Sequence, residues 1–326
     1  MEQVKFCMLV GVAGSGKSTL ASQILQSWAS EFPNKTVILS SDAIREELYG
    51  DAAIQDDPQK VFNIMNRRVM EHLGVGHNVL YDATNLAAKR RTALVDQIRY
   101  KFEDDVYCMC EVVVAPEEDC VMRQSMRARK VPAEVIHRQI CQFEISFWNE
   151  GWDRIHITNT NTNSFCVHDL LMDVWGEDQR NSHHTLCLGE HCYSTARLAL
   201  DAMMGKGLSN SRVFFKEADM IATVLDDAAM YHDVGKYYTQ SFANAKGEPT
   251  EEAHYYNHNN YSAYLMACDT ERHEYEDGWL LSIALVQWHM QYYLVPKMNE
   301  WLDKRRFDRL FCFLLGILHE ADKAAH

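Results

Sequence analysis

Nine residues near the N-terminus, GVAGSGKST at 11–19, restrict the fold of everything around them. They fit GxxxxGK[ST] at Gly11, Gly16, Lys17 and Ser18, follow an apolar run of strand length, and open a helical pattern. Glycines let such a loop curl with its N–H groups turned inward, and the positive end of the following helix adds to their field. The loop therefore holds a polyphosphate. Lys17 reaches the β- and γ-phosphate oxygens and the Ser18 hydroxyl ligates Mg²⁺, with Ala13, Gly14, Ser15 and Thr19 completing the cradle. ATP and Mg²⁺ are the expected ligands.

The rest of residues 1–160 supplies the strands and helices that this loop requires. VKFCMLVGV, KTVILSS, NVLYDAT, VYCMCEVVVA and RIHIT are short apolar, β-branched runs, separated by longer segments of helical spacing. Such alternation predicts a parallel sheet with helices on both faces. After TNTNTNS at 158–164 the strand runs stop, and from about residue 182 nearly everything reads as helix. The expected organisation is an α/β domain at 1–160, a linker at 161–181 that includes the helical piece VHDLLMDVW, and an all-α domain at 182–326. A length of 326 residues suits two domains, and 47% apolar with 24% charged residues suffices for two cores.

The net charge of −14 excludes a generic nucleic-acid coat, but it is unevenly spread. Residues 1–160 hold 18 basic against 22 acidic side chains, the remainder 14 against 24. Small basic clusters in the first part, such as Arg123, Arg127, Arg129, Lys130 and Arg138, suit a few phosphates rather than a long tract. Ten scattered cysteines without a CxxC pair predict reduced thiols in a cytoplasmic protein. The N-terminus shows no basic leader, and the longest apolar run, LFCFLLGIL at 310–318, is too short to span a bilayer, so no membrane association is expected.

Three segments qualify as the acceptor side of the phosphate loop. In SSDAIREELYG, Asp42 follows the second strand on the rim where open α/β sheets bind ligands, and Arg45 lies three residues on. A carboxylate there can take a hydroxyl proton and an arginine can grip a phosphate; the alternative is that Ser41 or Asp42 only caps the next helix. In YDATNLAAKRR, Asp82, Thr84 and Asn85 end the third strand. In APEEDCVMRQSMRARKVPAEVIHRQ, Arg123 and Arg127 are four apart, as on one face of a basic lid helix that closes over a triphosphate.

Together these segments resemble the 5′-hydroxyl polynucleotide kinase domain of phage and bacterial RNA-repair enzymes. That family pairs GxxGSGKST with a DxxR element, a DTN-type element followed by two arginines, and a lid ending in Val-Pro. The corresponding residues are Gly11–Thr19, Asp42 with Arg45, Asp82-Ala83-Thr84-Asn85 with Arg90-Arg91, and Arg123 and Arg127 with Val131-Pro132. The resemblance implies Lys17 and Ser18 on ATP·Mg²⁺, with Arg123 and Arg127 also on the nucleotide. It further implies Asp42 as general base, Arg45 on the acceptor's 3′-phosphate, Arg127 on the transferring phosphate, and Asp82 and Asn85 at the substrate.

The helical part has a different signature. Ile221, Leu225, Ala228 and His232 fall at i, i+4, i+7 and i+11, so His232 continues an inward stripe. Phe311, Leu315, Leu318 and Asp322 repeat those steps, and Leu281 and Leu285 lead to His289. His191 lies beside Leu188, Cys192 and Thr195, and His258 opens HNNYSAYLMA. An unpartnered inward carboxylate costs several kcal/mol, so five helices aiming His or Asp inward predict a shared metal centre.

The order H…HD…H…H…D resembles the HD superfamily of metal-dependent phosphohydrolases, with HDxGK as His232-Asp233-Val234-Gly235-Lys236. The resemblance implies one divalent transition metal, of the Mn, Fe, Ni, Co or Zn class, on His191, His232, Asp233 and Asp322. It implies a second on His258 and His289 with Asp233 bridging, Lys236 at the scissile phosphate, and His183 and His184 at the substrate. His168-Asp169 lacks the glycine–lysine turn, and His319-Glu320 lacks the second histidine of HExxH.

Bifunctional enzymes joining an HD domain to a polynucleotide kinase form a known family, and this chain resembles one with the kinase first. The implied function is repair of broken RNA or DNA ends, with a separate ligase to seal them. The competing expectations are a small-molecule or nucleoside kinase fused to a nucleotide phosphohydrolase, and a module that binds ATP and an RNA end without turnover.

Overall fold

The computed structural model describes residues 3–31, 35–182, 185–205, 218–271 and 276–325. The chain divides into two compact units, 1–139 with 146–162 and 140–145 with 163–326. The span expected as a linker therefore falls almost wholly in the second unit, where residues 167–173 form a helix.

The first unit runs β1 (Val4–Val10), α1 (Lys17–Glu31), β2 (Thr36–Ser40), α2 (Ser41–Tyr49), α3 (Pro58–Gly74), β3 (Asn78–Asp82), α4 (Ala88–Phe102), β4 (Val106–Val114), α5 (Glu117–Ser125), α6 (Ala133–Cys141) and β5 (Arg154–Asn159). The sheet order is β2-β3-β1-β4-β5, and every pairing is parallel. This is the α/β architecture of P-loop kinases. The strands expected from the sequence form because runs of apolar residues, covered on both faces, bury nearly every side chain: Phe6 to Val10 and Val112 to Val114 are almost wholly buried. The strand order reverses beside β1, so the crevice at its carboxyl end is the natural ligand position.

The second unit is helical: α7 (Val167–Asp173), α8 (Leu188–Gly205), α9 (Ala218–Tyr231), α10 (Lys236–Thr239), α11 (His258–Cys268), α12 (Glu276–Trp288), α13 (Gln291–Leu294), α14 (Met298–Lys304) and α15 (Arg309–Ala324). One antiparallel hairpin, β6 (Gln240–Ala243) with β7 (Pro249–Tyr255), interrupts the helices after α10. The sequence reading missed it because its strands are polar and mostly exposed, which leaves no period-2 apolar signal. Ile221, Leu225, Ala228, Phe311, Leu315 and Leu318 are all buried, so the stripes on α9 and α15 face the core as expected. Among the described residues, no helix is long and apolar enough to cross a membrane.

Candidate functional site

The phosphate loop closes against its own unit. Gly14 takes φ 86°, and a Cβ there would stand 2.4 Å from the carbonyl oxygen of Cys120 on α5, so only glycine fits. Thr160, just past β5, donates its hydroxyl to the Ser15 carbonyl at 2.8 Å. Lys17 is buried and donates to the Val12 carbonyl at 2.7 Å. Burial lowers its pKa to about 8, against the pull of Asp82. The Ala13 N–H, one of the loop's inward donors, is held by Oε1 of Gln139 on α6 at 2.7 Å, a partner that no sequence motif marks.

Asp82 ends β3 and accepts from the Ser18 hydroxyl at 3.3 Å. Asp82 therefore stands beside the hydroxyl expected to ligate Mg²⁺. Burial raises its pKa, with Lys17 and the Ser18 bond opposing. Asn85 departs from the expected substrate contact: its amide donates to the Leu9 carbonyl at 2.7 Å, and its φ of 51° suits asparagine in a left-handed turn. It ties the end of β3 to β1. Arg91 is likewise structural, forming a wholly buried pair with Glu150 at 2.6 Å and donating to the carbonyls of Asn85 and Leu86.

On the acceptor side, Asp42 does not cap α2, whose N-cap is Ser40 without a side-chain bond. Its carboxylate instead faces Arg45 at 3.0 Å and Arg129 at 3.4 Å and is 59% exposed, open to an incoming group. Arg45 is buried, and its Nε has no hydrogen-bond partner among the described residues. That orphaned donor fits a missing anion.

The lid differs from the expected helix. Helix α5 stops at Ser125, so Arg123 and Arg127 do not share a helical face. Arg123 donates to the Gly14 carbonyl at 3.2 Å and to the Thr160 hydroxyl at 2.9 Å, so it braces the loop. A guanidinium's five donors serve carbonyls as readily as phosphates, and sequence cannot tell which. Arg127, exposed in the turn beyond α5, lies close enough to Lys17 and Asp82 to lower the pKa of both.

The second site is made wholly of side chains. His191 comes from α8, His232 and Asp233 from the turn after α9, His258 from the start of α11, His289 from just past α12, and Asp322 from α15. All six are at least nine-tenths buried. Gly235 makes the turn possible: a Cβ there would meet the His258 carbonyl at 2.4 Å and the Ser262 nitrogen at 2.6 Å, so glycine alone lets α11 dock and deliver His258.

Each of the four imidazoles is held the same way. Nδ1 of His191, His232, His258 and His289 meets the carbonyls of Ala325, Ala229, Tyr255 and Val286 at 2.7–2.8 Å. A carbonyl only accepts, so Nδ1 carries the hydrogen and Nε2 presents its lone pair. Those Nε2 atoms converge in pairs, His191 with His232 at 3.3 Å and His258 with His289 at 3.3 Å.

Asp233 lies between the pairs. Its Oδ2 is 3.3 and 3.4 Å from His191 and His232, and its Oδ1 is 3.1 and 3.8 Å from His258 and His289. Oδ1 of Asp322 completes the first group at 3.1 Å from His191 and 3.4 Å from His232. Metal–nitrogen and metal–oxygen bonds of about 2.1 Å set neighbouring ligands about 3.0–3.4 Å apart. The donors thus have the chemistry and the spacing for divalent transition metals, in two groups bridged by Asp233.

The buried groups of the cluster perturb one another strongly. Burial lowers the His191 pKa, but bonds to Asp233 and Asp322 outweigh it and carry the group up to about 9. Burial with His232 and His258 pushes His289 down to about 3. Lys236 sits on Asp233 Oδ2 at 2.6 Å and on Gln179 Oε1 at 2.7 Å, beside the bridging carboxylate. The Tyr293 hydroxyl, unmarked in the sequence, donates to Asp322 Oδ2 at 3.1 Å. His168 and Asp169 stand exposed on α7, away from the cluster; His183 and His184 lie outside the described residues.

A family model described as an AAA domain matches residues 6–145. Among solved structures, the chain is similar to one in the Pnkp1/Rnl/Hen1 RNA repair complex, at 24% identity over 44% of each chain with a TM-score of 0.36. It is also similar to a gluconokinase from Sinorhizobium meliloti 1021, at 17% identity over 48% of this chain and 82% of that one, TM-score 0.32. A third is the Mycobacterium tuberculosis APS kinase CysC in complex with AMPPNP and APS, at 16% over 54% and 97%, TM-score 0.35. The chain spans less than half the length of the RNA-repair chains it matches. No curated protein sequence matches it. The first unit has the fold of P-loop kinases, and the matched family model falls on its residues 6–139 and a few beyond.

Proposed function

We propose that this chain heals both ends of broken RNA, as an ATP-dependent 5′-hydroxyl polynucleotide kinase in its first unit and a metal-dependent 2′,3′-phosphoesterase in its second. The observation that carries the reading is the presence in one chain of two phosphate-handling centres of different chemistry. One is a phosphate loop with an open carboxylate held between two guanidiniums; the other is four Nε2 atoms gathered on the two oxygens of Asp233.

In the kinase, Asp42 takes the proton of the acceptor 5′-hydroxyl as its oxygen attacks the γ-phosphorus and ADP departs. Arg45 grips the acceptor's neighbouring phosphate through its orphaned Nε, a group that a small alcohol lacks. Lys17 and Arg127 neutralise the transferring phosphate, and Ser18 with Asp82 holds Mg²⁺. In the esterase, His191, His232 and Asp322 would hold one metal and His258 and His289 a second, with Asp233 shared between the two groups. Divalent metals bound there supply hydroxide near neutral pH and screen the phosphate's charge. Lys236 keeps Asp233 oriented and adds positive charge beside the phosphate.

The test is a short RNA with a 5′-hydroxyl and a 2′,3′-cyclic phosphate, incubated with ATP and Mg²⁺ or Mn²⁺ and read by mass. Gain of a phosphate at the 5′ end and loss or opening of the cyclic phosphate support the reading. Phosphorylation of free nucleosides or sugars at comparable kcat/KM, with the RNA untouched, refutes it.

A further inference from the structure

The metal cluster comes closest to solvent at Asp322, which at 8% exposure is the most open of its six donors. Tyr293 meets it there. Tyr293 belongs to α13, which starts two residues after His289, so the same short segment that delivers one donor delivers this ring. Its hydroxyl donates to Asp322 Oδ2 at 3.1 Å, while Oδ1 of the same carboxylate faces His191 and His232. The phenol therefore fixes which carboxylate oxygen is offered to the metal.

Tyr293 as a residue is 50% exposed although its hydroxyl bonds a buried group. Its edge contact is His319, at 4.8 Å and 72°, and His319 is stacked in turn on Tyr292 at 4.5 Å and 7°. This backing sets the ring's orientation and leaves part of its surface to solvent, one side chain away from where a phosphate would be held.

We propose that Tyr293 is the positioning residue for Asp322 and, through its exposed ring, the stacking surface for the nucleobase next to the scissile phosphate. The second role rests on the phosphoesterase reading above. It assigns the site to phosphoesters that carry a base, because an aromatic face accepts any base by stacking, a contact that a substrate without a base forgoes.

Tyr293→Phe removes the hydroxyl and keeps the ring; Tyr293→Ala removes both. The full chain, stripped of metal, is titrated with Mn²⁺. Each protein is then assayed at saturating Mn²⁺ on RNA ending in a 2′,3′-cyclic phosphate and on the same RNA with an abasic terminal nucleotide. Both variants should bind Mn²⁺ about 10- to 100-fold more weakly. Only Tyr293→Ala should raise KM for the normal end, by about five- to a hundredfold. The abasic end should have a raised KM with the wild type that Tyr293→Ala does not raise further.

Unchanged Mn²⁺ affinity in Tyr293→Phe overturns the positioning role. Equal KM values for wild type and Tyr293→Ala, or no penalty for the abasic end, overturn the stacking role. A wild-type protein that binds Mn²⁺ and leaves the cyclic end intact removes the phosphoesterase reading and the stacking role with it, while the titration still decides the role of the hydroxyl.

Discussion

The two sites differ in what they are made of. The phosphate site is mainly backbone: a loop whose N–H groups do the binding, shaped by glycines and braced by Arg123, Thr160 and Gln139. The second site is made of side chains: six His and Asp residues from five places in the chain, the four imidazoles each aimed by a bond to a backbone carbonyl. A backbone site tolerates change around it so long as the scaffold holds. In a side-chain site every donor is irreplaceable, and the element carrying it is a means of delivery.

If that contrast is right, the most damaging change in the first unit outside the loop is to its scaffold. Arg91→Ala leaves Glu150 charged and buried, and should destabilise the unit by about 3–5 kcal/mol in a denaturant melt. A loss under 1 kcal/mol would show that the pair does not hold the sheet edge. Next in size is the general base: Asp42→Ala should slow phosphate transfer by about 10²-fold while ATP still binds. Near-normal turnover would move the acceptor elsewhere.

Lys17 gives a smaller, pH-dependent effect. Burial holds its amine down to about 8, so the free protein favours the neutral form above that pH, whereas a polyphosphate favours the charged form. Nucleotide binding above pH 8 must take up a proton. ATP affinity should fall as pH rises, by up to about tenfold per unit, and Lys17→Arg should flatten the profile. A flat wild-type profile between pH 7.5 and 9.5 would contradict this. At the bottom of the scale, Asp169→Ala changes an exposed residue of α7 and should leave both activities and the metal content as they were.

The same contrast explains what the sequence made legible. Gly11–Thr19 and the five strands could be read because backbone-built features leave local signatures, fixed glycines and β-branched runs. The inward convergence of the second unit's His and Asp could be read because His232, His289 and Asp322 prolong apolar stripes, where a polar residue needs a reason. What failed were the rims. Asn85 and Arg123 have the chemistry of ligand contacts, but their partners, the carbonyls of Leu9 and Gly14, are distant in sequence and unmarked by any side chain. Tyr293 and Gln139 went unseen for the converse reason: each acts on one atom of a residue remote along the chain. The hairpin β6–β7 was hidden by its polar strands.

The central claim is that one chain carries two independent phosphate-handling centres. The measurement that tests it most directly follows both ends of a single 5′-hydroxyl, 2′,3′-cyclic-phosphate RNA by mass, with Lys17→Ala and Asp233→Ala beside the wild type, and metal content determined on each protein. The expected result is a crossed pattern. Lys17→Ala should keep its metal and process only the cyclic end. Asp233→Ala should lose its metal and phosphorylate only the 5′ end. If either variant loses both activities while folded, or if Asp233→Ala retains metal and esterase activity, the two-centre description is contradicted.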